Sequence, residues 1–250
     1  MASAPESDKA PSSEHFTKCS GSFWRVVESQ NRISSDRLVD DPDDQPLLES
    51  LIEEVKPPVP PEARHLPTLL RTPFRYWHGK PSRFRRANEK PGILYTSETE
   101  SAAVAELAYY RLLFRTRSPD AEASKNIAEH SSFTVAAAMT RTLDLTASPF
   151  VKRRAEWTHP SDYTACQDFS AGARKIDAEA IRYESVRDPD AQANVAILDP
   201  ATVDGDSLEI VRSWHFRFEG NKLSAYAAFP SPQHLGFTFE QFGLEQPGSR

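Results

Sequence analysis

Apolar and polar residues alternate along much of this chain, which predicts a domain built mainly from half-buried strands. The first apolar segment, residues 22–27, predicts a strand. Further strands are predicted at residues 91–96, 133–139, 179–183, 193–198, 208–218 and 223–229. Helical spacing of apolar residues occurs instead at residues 46–54, 102–114 and 161–175. This mixture favours an α+β fold of strand-dominated mixed sheets with flanking helices.

The order of these segments indicates one folded domain over residues 21–240. Residues 1–20 are rich in Ser, Pro, Ala and charge, so a disordered N-terminal tail is predicted there, with a short C-terminal tail at 241–250. A proline-rich run at 56–61 lies near the end of an acidic stretch at 36–62. We interpret this run as a loop inside the domain, because the first strand cannot form a core on its own.

Charge and cysteine content exclude several classes of protein. Thirty Lys and Arg against 36 Asp and Glu give a net charge of -6, whereas general nucleic-acid binding needs a basic face. No apolar run approaches the roughly 20 residues that span a bilayer, and the first residues do not resemble a signal peptide. Two cysteines form neither a disulfide framework nor a zinc motif, so no metal is expected. A cytoplasmic protein is predicted.

One local feature departs from the acidic average. Residues 71–90 hold seven Lys or Arg against Glu89 alone, and a strand and an Ala-rich helix follow, joined by a predicted capping box of Ser97 and Glu100. Arg83 in this block could hold a pyrophosphate, and Tyr95 could present its ring to a planar base. From composition alone, solvated arginines, a core tyrosine and an ion-paired glutamate explain the same residues.

Four segments in this order resemble the signature of the RES-domain family, and in particular its longer, ParT-like members. They read Ser-Arg-Phe-Arg-Arg at 82–86, Gly-Ile-Leu-Tyr-Thr-Ser-Glu at 92–98, Ala-Ala-Val-Ala-Glu at 102–106 and Tyr-Glu-Ser-Val-Arg at 183–187. The resemblance extends over roughly residues 22–205, which is most of the chain.

This resemblance implies the toxin of a type II toxin–antitoxin pair, with a fold like the core of diphtheria-type ADP-ribosyltransferases. NAD would be its substrate, cleaved at the nicotinamide–ribose bond, and an Xre-type antitoxin would cover the active site. The ADP-ribose would pass either to water or to a host protein acceptor.

The family's motif residues map onto this chain one by one. Glu106 would stabilise the positive charge that develops on the ribose, and Arg83 would bind the pyrophosphate. Tyr95 would stack on nicotinamide, and Ser185 would hydrogen-bond the ribose or the amide. The NAD-contacting set also includes Phe84 and Arg75, and Arg75 or Arg85 could share the phosphate role.

A non-enzymatic alternative stays open at this point. An interaction module or an inactive relative would also keep the fold. Its main support is that this chain has Ser-Arg-Phe-Arg at 82–85 where family members often have Gly-Arg-Trp-Asn.

Overall fold

The fold was obtained as a computed structural model, which describes residues 10–28, 45–76, 79–118 and 128–246. The strands are β1 Phe16–Glu28, β2 Leu94–Ser97, β3 Ala128–Asp144, β4 Ala180–Glu184, β5 Ala193–Ile197, β6 Glu209–Glu219, β7 Lys222–Ala227 and β8 Gln233–Thr238. The helices are α1 Gln45–Val55, α2 Thr68–Arg75, α3 Glu100–Arg117, α4 Arg154–Trp157 and α5 Thr164–Lys175. The predicted α+β class is confirmed.

The eight strands of the described residues belong to one mixed sheet, ordered β1-β2-β5-β4-β3-β6-β7-β8. A further pairing of β1 with β3 closes the first five of these strands into a small ring. The β3–β4 pairing is parallel, and the pairings of the other neighbouring strands are antiparallel. Because β1 and β2 meet only at Trp24 and Ser97, the ring is loosely joined there.

Three apolar clusters pack the faces of this sheet. One fills the ring and includes Phe23, Leu70, Phe74, Phe133 and Val195. The second lies beneath α5 and includes Phe84, Phe150, Trp157 and Phe169. The third joins α3 to strands β6–β8 and includes Val104, Trp214, Phe216, Leu223 and Phe237.

Helix α3 begins two residues later than its predicted capping box implies. Its N-cap is Thr99, whose hydroxyl accepts a hydrogen bond from the Ala102 amide at 3.3 Å. The predicted box of Ser97 and Glu100 is therefore wrong. The Glu100 carboxylate accepts instead from Ser132 Oγ of β3 at 2.6 Å and from Trp214 Nε1 of β6 at 2.8 Å.

The N-terminal segment also differs from the prediction. The first strand begins at Phe16, five residues before the predicted domain start, and pairs with the end of β3 through Phe16↔Leu143 and Thr17↔Thr142. The strand forms there because β3 is long enough to offer it an edge. Residues 1–9 of the predicted tail, residues 247–250 of the C-terminal tail and residues 36–44 of the acidic stretch lie outside the described residues.

Candidate active site

A cavity of about 270 Å³ lies where β1 and β2 diverge. Its wall combines side chains from β1, β2, α3, β4 and β5 with the chain around Ser82–Arg83. Aromatic rings make up much of this wall, contributed by Trp24, Tyr95, Tyr110, Tyr163 and Tyr183. Such a wall suits a flat, partly apolar ligand that also carries polar groups.

Glu106 occupies the helical side of this cavity. Around it, α3 presents small buried residues to the sheet, so the helix lies close to the strands. The Oε1 atom of Glu106 accepts hydrogen bonds from Ser185 Oγ at 2.8 Å and from Asn194 Nδ2 at 2.7 Å. Within the described residues Oε2 accepts none, so one carboxylate oxygen is fixed and the other is open to a ligand.

Ser185 holds this carboxylate in place. Its hydroxyl oxygen accepts from the backbone amides of Arg187 at 3.3 Å and Asp188 at 3.2 Å. Because both acceptor positions are used, the hydroxyl proton is directed to Glu106. The side chain is buried, which makes Ser185 an orienting group for the glutamate.

Arg83 also lines the cavity, in a tight turn closed by hydrogen bonds between Ser82 and Arg85. One terminal nitrogen of its guanidinium donates to the carbonyls of Trp157 at 2.7 Å and His159 at 3.1 Å. The guanidinium carbon lies 4.7 Å from the centre of the Tyr163 ring. The Cys166 thiol is a further hydrogen-bond partner of this guanidinium. Together these contacts fix Arg83 at the cavity wall.

Tyr95 joins strand β2 to that turn. Its ring lines the cavity, and its hydroxyl pairs with Ser82 Oγ at 2.8 Å and accepts from the Phe84 amide at 3.1 Å. Burial raises the pKa of Tyr95, so the hydroxyl remains protonated at neutral pH. The tyrosine therefore positions the arginine turn as well as shaping the cavity.

Three residues predicted to contact NAD or share the phosphate role are placed elsewhere. Phe84 is fully buried in the cluster beneath α5, edge-on to Tyr183. Arg75 ends α2 and directs its guanidinium to Glu53 at 2.5 Å and to the Pro57 carbonyl. Arg85 donates to the carbonyls of Lys80 and Arg86. The structure does not bring these three side chains into the cavity wall, because packing and carbonyl or carboxylate partners hold them outside it.

Arg25 and Asn194 are among the wall residues that were not singled out from the sequence. Arg25 donates to the Tyr95 carbonyl at 3.2 Å, and no carboxylate of the described residues pairs with it. Desolvation lowers the pKa of Arg25 to about 10, which leaves it cationic at neutral pH. Asn194 is buried in β5 beside Glu106. Arg25 could have been recognised as a charged residue between Phe23 and Val27 on one face of a strand. Asn194 could have been recognised as an amide in an otherwise apolar strand.

The described residues contain neither a cluster of metal-ligating side chains nor a membrane-spanning helix. No group of three or more His, Cys, Asp or Glu side chains there is arranged to hold a metal ion. No described helix combines the length and apolar character needed to cross a bilayer.

Comparisons with known proteins place this chain in a family. No curated protein sequence matches it. Among solved structures, the fold is similar to a chain of the M. tuberculosis MbcT–MbcA toxin–antitoxin complex, with a TM-score of 0.47 and 10% identity over 81% of this chain and 87% of that one. A family model described as the RES domain matches residues 60–219, a span that includes Arg83, Tyr95, Glu106 and Ser185. Since that match covers more than half of the sequence, the chain belongs to the RES domain family.

Proposed function

We propose that this chain is the toxin of a type II toxin–antitoxin pair and cleaves the nicotinamide–ribose bond of NAD. The observation that carries the proposal is the hydrogen bonding of the Glu106 carboxylate. One of its carboxylate oxygens is fixed by Ser185 and Asn194, and the other accepts no hydrogen bond from the described residues, in a cavity walled by aromatic rings.

Glu106 has the chemistry that this cleavage requires. When the bond from the ribose carbon to the nicotinamide nitrogen breaks, its electron pair stays on that nitrogen and neutralises the ring. The ribose is left with oxocarbenium character, which a nearby carboxylate stabilises. The oxygen of water, or a nucleophile of a host protein, then bonds to the ribose carbon and loses its proton to Glu106 or to solvent.

Two arginines supply the charge that a pyrophosphate needs. Arg25 lines the cavity with no carboxylate partner among the described residues, and Arg83 lines it with a guanidinium that donates to the Trp157 and His159 carbonyls. A partly desolvated cation gains more from an anionic ligand than an exposed one does. We assign the pyrophosphate to Arg25 together with Arg83, and stacking on nicotinamide to Tyr95.

The proposed partner is an Xre-type antitoxin that covers the cavity, and the proposed location of the pair is the cytoplasm. Family membership is the main support for such a partner. The side chains of Tyr110, which also lines the cavity, and Phe114 are 56% and 64% exposed on α3. Two exposed aromatic side chains four residues apart on one helix offer an apolar surface that a protein partner would bury.

Nicotinamide release tests the proposal directly. Purified full-length protein, freed of any partner, is incubated with NAD beside the Glu106→Gln and Glu240→Gln variants. Glutamine keeps the shape of Glu106 but removes its charge, so we expect release to fall by roughly a hundredfold or more while NAD binding persists. Glu240 is exposed and does not line the cavity, so its variant should match the wild type.

The fate of the ADP-ribose separates the two forms of the reaction. With labelled NAD and cell extract, label attached to protein indicates transfer to a host acceptor, and free ADP-ribose indicates hydrolysis. Absence of nicotinamide release from folded wild-type protein, with and without extract, would overturn the enzymatic proposal and favour a non-enzymatic interaction module.

A further inference from the structure

Asn194 forms part of the cavity wall beside the proposed catalytic glutamate. It lies in β5, opposite Ser97 of β2 and Tyr183 of β4, and its side chain is 2% exposed. Its Nδ2 atom donates to Glu106 Oε1 at 2.7 Å. A buried amide in this position is held by the sheet on both sides, so it is fixed relative to the glutamate.

The orientation of this amide follows from its partner. A carboxylate only accepts hydrogen bonds, so the nitrogen of Asn194 must face Glu106 and the oxygen must face away. That oxygen, Oδ1, is buried and has no hydrogen-bond partner within the described part of the chain. Leaving a buried acceptor unpaired destabilises a fold, which makes such an atom uncommon unless a ligand supplies the donor.

We propose that Asn194 is a specificity-determining residue that accepts a hydrogen bond from the ribose hydroxyl next to the one bound by Glu106. This inference rests on the proposed function, in which Glu106 lies beside the ribose carbon that loses nicotinamide. The hydroxyl next to that carbon is the 2′-hydroxyl, which we assign to the open oxygen of Glu106. The hydroxyl assigned to Asn194 is then the 3′-hydroxyl.

The chemistry of the two residues points to a vicinal diol. Glu106 Oε2 and Asn194 Oδ1 flank the same Nδ2–Oε1 hydrogen bond, and both are acceptors without a partner among the described residues. Two neighbouring acceptors match two neighbouring donors, which the adjacent hydroxyls of a ribose provide. They do not match a phosphate or a carboxylate, since those groups carry acceptors only at neutral pH.

Binding of uncleavable ligands tests this assignment without relying on turnover. Calorimetry is used to compare carbocyclic NAD with the same molecule lacking the 3′-hydroxyl of the nicotinamide-side ring. We expect the wild type to bind the 3′-deoxy ligand about tenfold more weakly, roughly the value of one hydrogen bond. In Asn194→Leu, which keeps the branched shape but replaces the amide oxygen and nitrogen with methyl groups, that preference should fall to about one.

Ser185→Ala is the matched control, because Ser185 is the other donor to Glu106 Oε1 and leaves Asn194 intact. It should weaken both ligands by the same factor and keep the tenfold preference. Asn194→Ala replaces the leucine variant if thermal unfolding shows that leucine disturbs the strand.

Each outcome decides a separate claim. A preference that persists in the Asn194 variants, or that is absent from the wild type, overturns the role of Asn194 while leaving the proposed function standing. A wild type that binds neither ligand and releases no nicotinamide from NAD overturns the proposed function and this inference together.

Discussion

The Tyr95 side chain uses its two ends differently. Its ring is part of the cavity wall, while its hydroxyl holds Ser82 and the Phe84 amide on either side of Arg83. Gln167 adds hydrogen bonds to the Ser82 and Arg85 carbonyls of the same turn. The position of the arginine therefore depends on a hydroxyl that never has to touch the ligand.

Tyr95→Phe separates these two uses. The ring stays, but the Phe84 amide loses its acceptor, so we expect the free energy of unfolding to fall by about 1–3 kcal/mol. NAD affinity should fall as well, because the turn that carries Arg83 loosens. Urea unfolding and calorimetric titration with carbocyclic NAD measure the two effects.

Tyr183→Phe is the comparison for that experiment. Tyr183 is a buried tyrosine of the same cavity wall, and no hydrogen bond of its hydroxyl to the described residues is observed. Its variant should lose much less stability than Tyr95→Phe. Equal losses in the two variants would show that the Tyr95 hydroxyl does not anchor the turn.

Sequence motifs located four residues of this site but missed Arg25. Arg83, Tyr95, Glu106 and Ser185 were identified because the family signature names such residues at fixed spacings, and the structure brings all four to the cavity or its glutamate. Arg25 belongs to a strand far from that signature. Its proposed role in binding the pyrophosphate rests on the absence of a carboxylate partner among the described residues. That absence is a property of the folded structure, and no local sequence pattern predicts it.

At the level of the helices, the start of α3 shows how a local motif can mislead. Ser97 and Glu100 have the spacing of a capping box, but Ser97 is the last residue of β2 and is buried. Glu100 is drawn away by Ser132 and Trp214, which lie 32 and 114 residues further along the chain. Long-range partners outweighed the local pattern.

A pair of alanine substitutions distinguishes the two caps. Thr99→Ala removes the acceptor for the Ala102 amide and should lower the free energy of unfolding by about 1 kcal/mol. Ser97→Ala should lower it by less than half as much, since the hydroxyl of Ser97 does not cap the helix. Urea unfolding of both variants gives the comparison, and a larger loss for Ser97→Ala would restore the predicted box.

The alternation of apolar and polar residues predicted most of the strands, but it did not always predict which side chains of a strand are buried. Strict alternation along residues 208–218 predicts Ile210 on the same face as Trp214 and Phe216, yet Ile210 is 65% exposed while the other two are buried. The β3–β6 register shifts between Ser132 and Phe133, and such a bulge moves later side chains to the other face. The strand β8 was not predicted, because its half-exposed sequence carries little apolar signal.

Across the whole molecule, the N-terminal segment reaches the arginine turn through α5. Phe16 packs against the cluster beneath that helix, and His15 lies edge-on to Phe150 with ring centres 5.0 Å apart. Pro11 touches α5 at Gly172, while Gln167 of the same helix holds the arginine turn. A segment predicted to be a tail therefore supports the helix behind the site.

A truncation that starts the chain at Gly21 should test this coupling. It removes the Phe16–Ser20 part of β1, so we expect a lower free energy of unfolding and weaker binding of carbocyclic NAD.

Gly172→Ala, made in both the full and the truncated chain, tests the contact between Pro11 and α5. In the full chain the added methyl group would lie 2.7 Å from Pro11 Cγ, and this clash would offset the stabilisation expected from the higher helix propensity of alanine. In the truncated chain the clash is gone, and alanine should stabilise by about 1 kcal/mol. Urea unfolding of the four proteins gives the coupling, and an equal effect of Gly172→Ala in both chains would show that the N-terminal segment does not pack on α5.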